Sequence, residues 1–112
     1  MRDMWRNMLL EYPGSVEETP FGPEPLVYKV GGKIFAILAT GDIPRMSLKC
    51  EPFRAKELRT LYGAITPGYH LNKEHWNTVL LDGSVETAMI EELIKHSYEL
   101  IVAALPKSKR PQ

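Results

Sequence analysis

Residues 69–77 crowd together most of the side chains in this chain that could do chemistry: Tyr69, His70, Asn72, Lys73, His75, Trp76 and Asn77. Imidazoles can ligate metals or carry protons. Asparagine can pair with adenine edges, lysine can neutralise phosphate, and tryptophan or tyrosine can stack on exposed bases. A metal site is the weaker reading. His70 and His75 are five positions apart, whereas a strand puts i and i+2, and a helix i and i+4, on one face. Asp82 and His96 are possible further ligands, but neither stands at a recognisable ligand spacing. No metal and no cofactor is therefore expected. Nor is a nucleophile set apart, because Ser47, Ser84, Ser97 and Ser108 lack a Gly-x-Ser-x-Gly elbow. No Gly-x-Gly-x-x-Gly or phosphate-cradling loop occurs, and Gly31-Gly32-Lys33 is a hairpin tip without a helix behind it. No catalytic residue is singled out.

What remains is a basic and aromatic surface. Lys33 falls at the hairpin tip. Arg45, Ser47 and Lys49 alternate with Met46, Leu48 and Cys50, so the two cations share one strand face. With Tyr69, His70, Asn72, Lys73, His75, Trp76 and Asn77 they form the candidate DNA-contacting set. A plainer role competes for the same residues: Trp76 anchoring the fold, and His70, Asn72 and Asn77 stitching an irregular loop to the sheet. Fourteen basic and fourteen acidic residues cancel, and the pI is near 6.8. That sum opposes strong nonspecific DNA binding. The distribution is less even: acids gather in 11–24 and 82–92, while basic residues outnumber acidic ones between Lys29 and Lys73.

Met1, Met4, Trp5, Met8, Leu9 and Tyr12 recur at helical spacing and predict an amphipathic helix ended by Pro13-Gly14. Residues 15–25 read as a loop, with Phe21 pinning it to the body. Strands are predicted over Leu26–Val30 and Lys33–Ala39 around a Gly31-Gly32 turn, and over Arg45–Lys49 after a turn at Gly41-Asp42. The second strand sets Ile34, Ala36 and Leu38 against Lys33, Phe35 and Ile37, and is apolar on both faces. Pro52 opens a helix that Gly63 ends, with Ala55, Leu58, Leu61 and Tyr62 inward and Arg54, Lys56 and Arg59 outside the stripe. After the 76–81 strand, Asp82-Gly83 turns the chain and Ser84 caps the longest helix. Pro106 stops that helix, leaving 107–112 as a disordered tail. Cys50 reads as a small core residue.

These elements predict one α+β domain over the 112 residues: an antiparallel sheet of four or five strands, with an N-terminal, a middle and a long C-terminal helix packed on one face. No apolar run is long enough for a membrane span and no signal peptide is read. A single cysteine fits a reducing, cytoplasmic setting.

Stretch 66–79 carries the strongest resemblance to a known family. With Tyr12-Pro13-Gly14, Pro20-Phe21-Gly22-Pro23, Val30-Gly31-Gly32-Lys33, Ser47-Leu48-Lys49-Cys50 and His96-Ser97-Tyr98-Glu99-Leu100, it resembles the MmcQ/YjbR family of small bacterial domains over nearly the whole chain. The resemblance implies a DNA-binding protein with two β-hairpin wings. One would be the Gly31-Gly32 hairpin, the other the strands flanking Gly41-Asp42. At the level of fold it extends to secretion-chaperone-like and frataxin-like domains, which present a sheet to partners. The expected function is therefore a non-catalytic DNA-binding or regulatory domain, a monomer or weak dimer with no membrane partner. The alternatives are a protein- or peptide-binding adaptor, favoured by exposure of Phe35 or Ile37, and a small-ligand binder around His70, His75 and Trp76.

Overall fold

The computed structural model describes residues 2–68 and 71–111. Helix α1 (Arg2–Leu10) leads into an antiparallel meander of β1 (Val16–Glu18), β2 (Leu26–Val30), β3 (Lys33–Ala39) and β4 (Arg45–Lys49). Helix α2 (Pro52–Leu61) then carries the chain past the sheet edge. The hairpin of β5 (Ile65–Pro67) and β6 (Trp76–Leu80) returns with β6 against β4, and α3 (Thr87–Ala104) closes the fold. The strand order is β1-β2-β3-β4-β6-β5. This is the α+β class expected, with six strands rather than four or five. The two extra strands, β1 and β5, are three residues each, too short to display an alternation in sequence.

All three helices pack on one sheet face. Leu26, Tyr28, Val30, Leu38, Met46, Leu48 and Val79 meet Trp5, Leu9, Ala55, Leu58, Ile90, Ile94 and Ile101 there. One irregularity shapes both faces. The β2–β3 register shifts after Tyr28, which pairs with Ala36, while Lys29 pairs with Ile34. Phe35 is the extra residue of a bulge, and it turns inward beside Ala36. It lies edge-on to Tyr98 at 5.3 Å and 6.0 Å from Tyr12. The alternation read from sequence is thereby broken: Phe35, Ala36 and Leu38 face the helices, and Ile34, Ile37 and Ala39 face outward. Buried Ser97 accommodates the bulge, donating to the Phe35 carbonyl at 2.6 Å and accepting from the Lys49 amide at 2.9 Å.

Local capping departs from expectation in two places. Ser84 does not cap α3. Its amide and hydroxyl both donate to Asp82 Oδ1, at 3.0 and 2.6 Å, and the helix begins three residues later. Helix α2 does begin at Pro52, with the Glu51 carboxylate accepting from the Phe53 and Arg54 amides at 3.1 and 2.9 Å. The segment after Pro106, expected as a disordered tail, carries local structure among its described residues. Lys107–Lys109 form a 3₁₀ turn, and Arg110 donates to the carbonyls of Leu105 and Ala103, at 3.0 Å each.

Among the described residues, no helix is long and apolar enough to cross a membrane.

Candidate functional site

The sheet face away from the helices carries the candidate surface. Cross-strand partners share a face, so the register assigns it directly. Lys49 pairs with Trp76, Ser47 with Thr78 and Arg45 with Leu80, while Met46 and Leu48 pair with Val79 and Asn77 on the helix side. Arg45, Lys49 and Trp76 are thus brought onto one open face. Among the described residues neither cation has a carboxylate partner, whereas Lys29 on the same face is held by Glu18 at 2.9 Å. Glu91, Glu92 and Glu99 stand exposed on α3, across the sheet.

The other candidates separate into surface and scaffold. Lys33 pairs with buried Val30, which directs it to the helix side at the hairpin tip, away from Arg45 and Lys49. That tip is packed against the molecule: a Cβ on Gly31, whose φ is +57°, would stand 2.6 Å from Leu105 and 2.9 Å from the Lys109 carbonyl. Asn77 is only 3% exposed and lies on the helix side, so it presents no amide to a ligand at the surface. Its Oδ1 accepts from Arg59 Nε at 2.7 Å, and its Nδ2 donates to the Ala55 carbonyl at 3.3 Å. Asn72 is exposed, but its Oδ1 accepts from the amides of Glu74 and His75 at 2.9 and 3.3 Å, closing a turn. The backbone carbonyl of His75 accepts from the Cys50 amide at 2.8 Å. Lys73 is exposed. Tyr69 and His70 lie outside the described residues.

Arg59, which falls outside the apolar stripe of its helix, is the clamp of this region. Besides Asn77 it reaches the carbonyls of Lys73 and, at 3.3 Å, Trp76. One guanidinium on α2 therefore fixes the loop that carries Lys73 and Trp76. Arg54 likewise turns to Glu92, at 3.8 Å. Gly68 completes the loop. Its amide donates to the Trp76 carbonyl at 2.8 Å, and a Cβ there would come within 2.8 Å of Trp76 Cβ.

Sequence reasoning missed the centre of the open face. A groove of about 430 Å³ runs over β3, β4 and β6. Ile34, Ile37, Ala39, Ser47 and Thr78 line its floor, Phe21 and Pro25 one flank, Leu71 the other, and Arg45 its rim. Phe21 is not a pin but 73% exposed. Of the two strand residues whose exposure would favour an adaptor, Phe35 is buried and Ile37 half-buried in the groove. His75 and Trp76 lie outside the groove lining. The doubly apolar run of β3 was the available signal, since one of its faces had to lie outside the helix-covered core.

Elsewhere, burial pushes the Cys50 thiol up, in keeping with a core residue. Among the described residues no three His, Cys, Asp or Glu side chains gather as a metal-ligand set.

Comparison with known proteins agrees with this architecture. The chain is 37% identical to the Escherichia coli O157:H7 uncharacterized protein YbdF, over 91% of this chain and 84% of that one. It is 36% identical to the uncharacterized protein YjbR of E. coli K12, over 91% of each chain. A Deinococcus radiodurans crystal structure with a DUF419 domain superposes with a TM-score of 0.91 at 41% identity, covering 97% of this chain and 84% of that one. A Pseudomonas syringae protein superposes at 0.79 with 29% identity, covering 89% and 97%. The YjbR family pattern matches residues 10–100. With this match spanning most of the chain and relatives aligned nearly end to end, the chain belongs to the YjbR family.

Proposed function

We propose that the chain is a non-catalytic DNA-binding domain that uses its open sheet face. The observation that carries this reading is the pairing of two cations, Arg45 and Lys49, that lack carboxylate partners among the described residues, with Trp76 in register beside Lys49. Arg45 and Lys49 contact phosphates, and Lys73 extends the basic track along the neighbouring loop. Trp76 and exposed Phe21 offer ring surface to bases. Stacking needs an open base face, so single-stranded or locally unpaired DNA is the favoured form. The exposed acids of α3, Glu91, Glu92 and Glu99, lie across the sheet from this track, so they do not oppose it directly within a net charge of zero.

The test is fluorescence anisotropy of labelled single-stranded and duplex DNA, titrated from low to physiological salt. Binding that weakens with salt and favours the single strand is the expected result. Absence of binding at low salt would remove the reading.

A further inference from the structure

We infer that the groove on the open face is a binding site for a small apolar acid, with its carboxylate on Arg45 and its hydrocarbon body on Ile34, Ile37, Ala39 and Leu71. The volume, about 430 Å³, is that of a small-molecule site. Phe21 with Pro25 on one flank and Leu71 on the other bound it across the strands, which suits a compact ligand.

The chemistry of the walls narrows the ligand further. Ser47 and Thr78 are the polar side chains of the floor, and their hydroxyls share a hydrogen bond of 2.9 Å. Much of the floor's polar demand is met internally, so the floor favours apolar atoms. Arg45 is different. Among the described residues it is the one charged residue of the lining and no carboxylate pairs with it, and it is exposed. A planar guanidinium that no described residue engages, at the rim of an apolar groove, matches a carboxylate in two-point geometry. An apolar molecule without charge would leave Arg45 unused, and a bare anion would leave the groove empty. This site stands whether or not DNA uses the same face.

The test is an amide-resolved NMR titration of the full chain with 4-phenylbutyrate, 4-phenylbutan-1-ol and acetate. 4-Phenylbutyrate should give saturable shifts on β3, β4 and β6, the alcohol should bind more weakly in the same place, and acetate should not saturate. Arg45→Gln, at an exposed position, should weaken 4-phenylbutyrate roughly five- to tenfold and leave the alcohol within about twofold. Ile37→Glu, which puts a like charge into the groove, should abolish binding of the acid while the spectrum remains folded. No saturable shift in the groove, equal affinity for acetate and 4-phenylbutyrate, or an Arg45→Gln variant with unchanged acid affinity would each overturn the proposal.

Discussion

Replacing Arg59 by methionine keeps the aliphatic stem of the side chain and removes only its guanidinium. In the folded protein that guanidinium meets Asn77 Oδ1 at 2.7 Å and the carbonyls of Lys73 and Trp76. The Lys73 carbonyl lies in an exposed loop where water can replace the lost donor, and the Trp76 carbonyl, at the start of β6, still accepts from the Gly68 amide at 2.8 Å, so both lose little. Asn77 cannot be rescued in that way, because it is 3% exposed and its Nδ2 is already committed to the Ala55 carbonyl. Stranding a buried acceptor costs about 1–3 kcal/mol, and a charged donor places the loss in the upper part of that range. Unfolding entropy of about 2.1 cal/mol/K per residue makes 1 kcal/mol worth about 4 °C in a chain of this length. Arg59→Met should therefore melt roughly 8–12 °C lower by far-UV circular dichroism. Combining it with Asn77→Leu isolates the pair, and a coupling of about 1–2 kcal/mol is expected. A melting shift under about 2 °C, with no coupling in the cycle, would refute the clamp.

Further outcomes follow from individual contacts. Gly68→Ala sets a Cβ 2.8 Å from Trp76 Cβ, which is backbone-fixed and cannot swing aside, so a loss of about 1–3 kcal/mol and a shift in tryptophan fluorescence are expected. Ser97→Ala strips partners from both the Phe35 carbonyl and the Lys49 amide and should cost about 2–3 kcal/mol in urea unfolding. Burial, helped by the charge of Arg54, holds the His96 imidazole below its ordinary value of 6.5, and its Nε2 accepts from the Glu51 amide at 3.2 Å. The folded state resists protonation more than the unfolded chain does. Its contribution is therefore complete above about pH 6.5 and declines as pH falls toward the depressed folded value. The Glu51 carboxylate, lowered by the Arg54 and Phe53 amides, adds a second loss at more acid pH, below about 4.5. Stability measured against pH should show both steps, and His96→Gln should remove the upper one alone.

The sequence disclosed faces wherever a polar residue marked one. Arg45, Ser47 and Lys49 alternate with apolar neighbours, so their common face was legible, and the register confirms it. In β3 no polar residue follows Lys33, and five apolar side chains from Ile34 to Leu38 fit either phase. The bulge at Phe35 depends on packing with Tyr12 and Tyr98, two residues distant in sequence, and nothing local encodes it. That is why the groove went unseen: its floor is the face that the bulge turns outward. Arg59 was obscure for a related reason. An arginine outside an apolar stripe looks solvated until the loop it holds is placed beside it. Asn77 misled because a polar residue in a strand suggests exposure, yet here its partners come from α2. Short β1 and β5 gain their strand character from neighbours, and their own sequences carry too few residues to announce it.

The most direct test of the account compares the wild-type chain with an Arg45→Ala/Lys49→Ala variant in salt-titrated anisotropy on one labelled single strand. Both positions are on the open face outside the core, so the fold should be retained. Two lost phosphate contacts should lower the log–log salt slope by about 1.4 and weaken binding most at low salt. An unchanged slope and affinity in the double variant, or no binding by the wild-type chain at low salt, would contradict the assignment of this face to DNA.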